Sequence, residues 1–207
     1  MVTGYFGVPG CGKSTLLASF AVKELKRIKR GKSKYKHVLT NFPVHGCEKI
    51  SFDDLGRKDI TDSLILFDEI TLDADSRDFK VFPPQAKTFF VLHRHLNNSI
   101  IYFTQDFSRC DKTIRNVTFD LWYVTSGYLP FFRQFTKAKR IFRNININEY
   151  TSELTLGYRF ANFKEIFFSI LSGRVCQRIW RPKYYKYFDS FDKLQLDNLP
   201  EFKYDKW

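Results

Sequence analysis

The sequence predicts an α/β fold: a parallel sheet with flanking helices, plus a small β-rich extension at its C-terminal end. Three observations carry this prediction. The glycine-rich stretch GVPGCGKST stands between a strand-like run and an amphipathic helix. Downstream, short continuous apolar runs alternate with helix-like segments, the pattern of strands covered on both faces and joined by right-handed crossovers. Beyond about Ser126 the alternation gives way to basic and aromatic segments that read as antiparallel strands.

In chain order, MVTGYF reads as the first strand, residues 7–12 as a loop, and KSTLLASFAVKELKRI as a helix with apolar residues at helical spacing. KHVLTNFPV is a short β-rich run closed by Pro43, and SFDDLGRKD has the makings of a short helix. SLILFDE, Ser63 to Glu69, is an apolar run ending in two acids and fits a central parallel strand. Pro83 to Asn98 opens with prolines and closes on Asn-Asn, so it is expected to be a helix with its own start and stop signals. SIIYFTQD follows as a buried strand, FSRCDKTIRN as a short helix or loop, and VTFDLWYVTS as a further strand. We therefore divide the chain into a core, 1–126, and a basic, aromatic extension packed on it, 127–207.

With 207 residues there is room for one substantial core. The formal charge of +12 favours a polyanionic partner, nucleic acid or anionic membrane, the alternative being a basic solvated surface with no such partner. Cys11, Cys47, Cys110 and Cys176 show no CxxC spacing and no clustering with the four histidines, which argues against a disulfide framework or a zinc site. No charged leader precedes the first strand, and no run of about 18 apolar residues occurs, EIFFSILSG around Phe167 being too short to span a bilayer.

The glycine-rich stretch matches G-x-x-x-x-G-K-[ST] in the strand-loop-helix context that the pattern requires. Its glycines let consecutive backbone N–H groups turn inward on phosphate oxygens, at the positive N-terminus of the following helix. Gly7, Pro9, Gly10, Cys11, Gly12, Lys13, Ser14 and Thr15 are thus the expected nucleotide-binding set. Lys13 would bridge the β- and γ-phosphates, Ser14 would ligate Mg2+, and Thr15 would reach the α-phosphate. Asp68 and Glu69 end a strand where a doubly wound sheet gathers ligand-binding residues, so Asp68 is expected to hold Mg2+ through water and Glu69 to polarise an attacking water. Gln105, at the end of the next buried strand, is placed either to sense the γ-phosphate or simply to cap the strand. Arg94, Arg109 and Arg115 are candidates for a transition-state arginine, Arg94 preferred, while His93 and His95 stand two apart on a helix and make a poor metal pair.

Two basic sets remain. Lys23 to His37 carries eight Lys or Arg against Glu24 alone. Helix C-terminal cations account for part of this excess, and phosphate or lipid-headgroup contacts for the rest. Arg133, Lys137, Lys139, Arg140 and Arg143 interleave with Phe131, Phe132, Phe135 and Phe142, which suits either a single-stranded nucleic-acid groove or a solvated strand over an aromatic core.

GVPGCGKST, LTNFP, LILFDEI and, above all, LHRHLNNSIIYFTQD followed by TIRN resemble the zonular occludens toxin (Zot) family, with YYKYFDSF similar to its closing tyrosine-rich motif. The resemblance spans roughly the first 125 residues. It implies a RecA-like P-loop ATPase core using ATP and Mg2+, related to the FtsK and HerA translocases. Such a protein would act as a homo-oligomer in the host cytoplasm, peripheral at the inner membrane, during extrusion of a filamentous single-stranded DNA phage. Phage DNA and an inner-membrane or coat-protein complex are the implied partners, and by motif match Arg94, His95 and Gln105 would lie near the nucleotide. Family members commonly carry a membrane-spanning segment after this core, and none is evident in this sequence. A viral DNA-packaging translocase and a nucleotide-switched scaffold are the alternatives that use the same site.

Overall fold

In the computed structural model residues 1–72, 83–127, 133–147, 154–162, 164–165, 167 and 175–188 are described. Their strands are β1 (Val2–Phe6), β2 (His37–Thr40), β3 (Glu48–Lys49), β4 (Ser63–Phe67), β5 (Ser99–Thr104), β6 (Thr118–Ser126), β7 (Phe135–Ile147), β8 (Leu154–Phe160) and β9 (Cys176–Trp180). Strand β1 lies inside one sheet whose order is β3-β2-β4-β5-β1-β6-β7-β8, with β9 paired to β7. Strands β1 to β6 pair in parallel, whereas β7, β8 and β9 join antiparallel. Ile141 pairs with both Leu121 and Phe160, and Thr136 with both Ser126 and Ile179, so β8 and β9 share the outer edge of β7.

Helix α1, Lys13–Lys29, covers one face of the sheet; α2, Pro84–Leu92, and α3, Lys112–Val117, cover the other. All five residues of β4 are buried because both faces are covered. Leu64 and Leu66 pack with Leu16, Leu17 and Ala21 of α1, while Ile65 and Phe67 pack with Phe89, Phe90 and Ile114. Gly4 provides a close approach: a Cβ there would meet the Tyr102 hydroxyl at 2.6 Å, and that hydroxyl shares a 2.7 Å hydrogen bond with Thr118 Oγ1.

The expected helix over Pro83 to Asn98 is regular only to Leu92. Its end is a left-handed stop: Asn97 adopts φ 54°, its N–H donates to the Arg94 carbonyl at 3.0 Å, and Asn98 N–H donates to His93 O at 2.9 Å. This is the paired 5→2 and 6→1 arrangement that closes helices when the terminal residue tolerates a positive φ. Asn98 then ties the turn to β4, accepting from Ser63 N–H at 2.9 Å and donating to Ile60 O at 2.6 Å. Likewise SFDD folds into a single 3-10 turn, Phe52–Asp54, closed by a Ser51/Asp54 capping box. Strands β3 and β9, outside the sequence expectation, have two and five residues. Of the expected sites, Phe131, Phe132, most of the run around Phe167 and the end of YYKYFDSF lie outside the described residues. Among the described residues, no helix is long and apolar enough to cross a membrane.

Candidate functional site

The order β4-β5-β1 places three neighbouring strands with their carboxyl ends together: β1 leads into Gly7, β4 into Asp68 and β5 into Gln105. Register makes the juxtaposition close, since Phe6 pairs with Thr104, and Gly7 N–H reaches Thr104 O at 3.3 Å. The loop from Gly7 wraps with Gly10 at φ 75° and Gly12 at φ 95°, and Gly12 is the N-cap of α1. These left-handed conformations let the backbone curl around an anion in front of a helix N-terminus. Lys13 is buried, and its Nζ donates to Gly7 O at 2.7 Å and Val8 O at 3.3 Å, folding the side chain back across the loop. Thr15 is buried beside it, while Pro9 is exposed at the loop tip.

Ser14 Oγ donates to Asp68 Oδ2 at 2.7 Å, joining residues 54 apart in sequence. Desolvation by burial pushes the Asp68 carboxyl above its ordinary range; the Ser14 bond opposes this, Glu69 reinforces it, and the Lys13 charge opposes it again. Two hard oxygens held this close suit Mg2+, which takes few protein ligands and keeps much of its water. Ser14 and Asp68 are therefore the residues that fit the ion. Glu69 adopts φ 46°, a conformation costing an L-residue about 1–2 kcal/mol. Its Oε1 accepts from Gln105 N–H at 3.2 Å and from the Thr71 hydroxyl at 2.7 Å. The acidic pair thus splits by position: Asp68 turns to the phosphate loop, and Glu69 turns across to the end of β5.

Of the three candidate arginines, Arg109 follows a strand end at this edge, in the 3-10 turn Phe107–Arg109 after β5. The expectation that Arg94 and His95 lie near the nucleotide needs correction within one chain. Both are exposed in the turn that enters β5 from its amino end, and the Met1 amine at the start of β1 has its proton affinity lowered by burial first, then by Lys34 and then by Arg94. The six residues of β5 separate that edge from Gln105, about 20 Å at the rise of a strand. His93 is buried with Nδ1 on Phe90 O at 2.7 Å, whereas His95 is exposed. Arg115 lies in α3, which feeds the amino end of β6.

Strand alternation also divides the second basic set. Lys139 stands opposite Tyr123, whereas Arg140 pairs with Asp120 and stacks on Phe142 at 5.3 Å. In the first set the eight cations from Lys23 to Lys36 are exposed, and Lys36 pairs with Asp62 at 2.7 Å.

Two features escaped the sequence reading. Asn41, just past β2, grips the Asp68 backbone twice: its Oδ1 accepts from Asp68 N–H at 2.7 Å and its Nδ2 donates to Asp68 O at 3.0 Å. The LTNFP motif contained that signal, an amide side chain directly after a strand. Arg181 sits against the phosphate loop, bonded to Gly10 O, Cys11 O and Thr136 Oγ1. No local pattern marks it, because its partners in the loop lie 170 and 171 residues away and Thr136 lies 45 away. A groove of about 420 Å³ opens at the carboxyl end of β2, lined by Asn41, Phe42, Val44, Cys47 and Phe188 among others.

A phosphate loop on β1, an acidic strand two places away and a polar strand end between them define the P-loop NTPase fold. The profile of the family described as zonular occludens toxin (Zot) matches residues 10–125, more than half of the sequence. The chain belongs to the Zot family. The N-terminal domain of zonular occludens toxin from Neisseria meningitidis superposes with a TM-score of 0.51 at 15% identity, covering 80% of this chain and 96% of that one. The genome packaging NTPase B204 from Sulfolobus turreted icosahedral virus 2, in complex with AMPPCP, gives 0.47 at 11% identity over 75% of this chain and 95% of that one. The flagellar accessory protein FlaH from Methanocaldococcus jannaschii gives 0.46 at 14% identity over 78% and 89%. No curated protein matches the chain.

Proposed function

We propose that this protein is a Mg2+-dependent ATPase that powers assembly and extrusion of a filamentous single-stranded DNA phage. It would work as a homo-oligomer at the cytoplasmic face of the host inner membrane. The observation that carries the reading is the Ser14–Asp68 contact of 2.7 Å beneath a glycine-rich loop, with Glu69 turned to the adjacent strand end. Membership of the Zot family and the charge of +12 support the phage and DNA parts of it. Residues 1–126 form the catalytic core in this reading, and 127–207 extend it.

The mechanism follows from the side chains. Loop N–H groups hold the β-phosphate, and Lys13 leaves the Gly7 and Val8 carbonyls for the β- and γ-phosphates. Ser14 and Asp68 would hold Mg2+, which would supply charge neutralisation at the phosphates. Glu69 accepts a proton from the attacking water, and Gln105, exposed beside it, orients that water. Arg94, exposed at the opposite edge, acts on the nucleotide of a neighbouring subunit.

The test is ATP hydrolysis by wild type, Lys13→Ala and Glu69→Gln, with and without single-stranded or duplex DNA at two salt concentrations. Lys13→Ala should lose nucleotide binding; Glu69→Gln should bind ATP yet turn over slowly. Stimulation by single strands supports extrusion, and by duplex alone a packaging translocase. Equal turnover in wild type and Glu69→Gln removes Glu69 as the water activator, and ATP binding without single-turnover hydrolysis points to a switch.

A further inference from the structure

The phosphate loop is held on its outer side by the far end of the chain. Strand β9 runs antiparallel to β7 and delivers Trp180 to the carboxyl edge of the sheet, and the 3-10 turn Arg181–Lys183 follows directly. From that turn Arg181 donates through Nη1 to Gly10 O at 3.1 Å, through Nη2 to Cys11 O at 2.7 Å, and through Nε to Thr136 Oγ1 at 2.8 Å. The Thr136 hydroxyl, buried, donates in turn to Cys11 O at 3.1 Å. The contact is tight enough that a Cβ on Gly12 would run into Thr136 Oγ1 and come within 2.7 Å of Arg181 Nε.

We infer that Arg181 is a positioning residue of the nucleotide site, a cation supplied by the C-terminal segment that grips the outward carbonyls of the phosphate loop and strengthens its inward donors. This inference rests on the nucleotide-binding reading above. The carbonyl of Gly10 shares a peptide unit with Cys11 N–H, and that of Cys11 with Gly12 N–H. A charged donor on the oxygen draws density from the whole amide, so the opposite N–H becomes a better donor to phosphate. The planar fork of a guanidinium reaches two successive carbonyls at once, which a lysine ammonium does with less geometric control. The positive charge also adds to Lys13 and to an α1 N-terminus whose first turn carries no acid.

The anchoring is consistent with a fixed rather than a roaming side chain. Ile179 and Tyr184, on either side of Arg181, are both buried in the core under α1. Further on, Tyr187 O accepts from His45 N–H at 2.9 Å, and the Phe188 ring lies 5.5 Å from that of Phe42. Since Asn41 holds Asp68, the same segment touches both the phosphate loop and the loop that positions the acidic strand end.

The experiment measures equilibrium binding of Mg·ATP and Mg·ADP to the full chain as wild type, Arg181→Ala, Arg181→Lys and Lys13→Ala, with melting of the nucleotide-free proteins and steady-state kinetics. Arg181→Ala should weaken both nucleotides about tenfold, the low end of the effect of losing a charge-assisted hydrogen bond. KM should rise by that factor while kcat stays within about twofold, the signature of uniform binding. Arg181→Lys should recover part of the affinity. A lowered melting temperature with unchanged affinity overturns the inference and leaves Arg181 a structural brace; a fall in kcat at constant KM overturns it in favour of a transition-state role. If Lys13→Ala loses binding and Arg181→Ala does not, this inference alone fails. If wild type binds neither nucleotide, the nucleotide reading fails with it. Should the alanine variant not fold, wild-type affinity in Arg181→Lys sinks the two-carbonyl grip.

Discussion

Asn41 shows how a single side chain decides where the carboxylate of Asp68, the proposed Mg2+ ligand, points. An amide has one donor end and one acceptor end, and Asn41 places both on the Asp68 backbone, at 3.0 and 2.7 Å. Asp68 is thereby aimed at Ser14 although β4 ends one residue earlier. Asn41→Ala should reduce ATP turnover by about 10–100-fold, the range typical of groups that orient a metal ligand. Nucleotide affinity in the absence of Mg2+ should change far less, because the phosphate loop is untouched. Wild-type turnover in that variant would show that Asp68 needs no such support.

At the scale of elements, α2 and its stop illustrate a motif whose residues first serve structure. Asn97 at φ 54° is the left-handed residue, and its Nδ2 donates to Asp62 Oδ1 at 2.7 Å. Asn97→Ala should cost about 1 kcal/mol, from the left-handed penalty of a Cβ without a compensating amide. Asn97→Gly should cost less, and thermal melts of the two variants check the order. His93, buried at the same helix end, has its imidazole pushed below the ordinary value, first by desolvation; the Phe90 carbonyl opposes this, and the Met1 amine and Arg94 add to it. The folded state therefore binds fewer protons here than the unfolded chain, and stability rises with pH through this group. The contribution is complete above about pH 6.5 and is lost as pH falls from there toward the lowered folded value. Wild type should lose more melting temperature between pH 7.5 and 5.5 than His93→Gln, and equal losses would remove His93 as a source of the dependence.

Across the whole molecule, the C-terminal segment is part of the core. Ile179, Tyr184 and Phe188 are buried with Leu17, Ala21 and Val22 of α1, and Tyr5 of β1 donates to Gln177 Oε1 at 3.3 Å. Ile179→Ala should therefore destabilise the full chain by about 2–5 kcal/mol, as removal of a buried aliphatic side chain does. Denaturant melts test this, and a loss below about 1 kcal/mol would mean that the segment lies on the core without supporting it. The antiparallel strands β7 and β9 belong to the same sheet as the P-loop strand, so perturbation at one end of the chain reaches the nucleotide edge directly.

Much of the fold was legible locally. The apolar run of β4 announces a strand covered on both faces, and the spacing in α1 announces its buried side. Less was legible where structure depends on two or three residues: β3 has two, and the helix after Pro83 ends in a turn set by one backbone angle at Asn97. In the site, the glycines, Lys13, Ser14 and the Asp68–Glu69 pair could be read because phosphate chemistry demands contiguous donors at fixed spacing. By itself, then, the sequence determined the run of β1, α1, β2, β4, the start of α2, β5 and β6, the phosphate loop and the acidic strand end, since each is encoded within a dozen or so neighbouring residues. Only the tertiary structure decided that Arg94 sits at the far edge, that Asn41 holds Asp68 and that Arg181 holds the loop. Those contacts join residues 27 to 171 positions apart, or separate residues by the length of a strand, and sheet order and register alone set such distances.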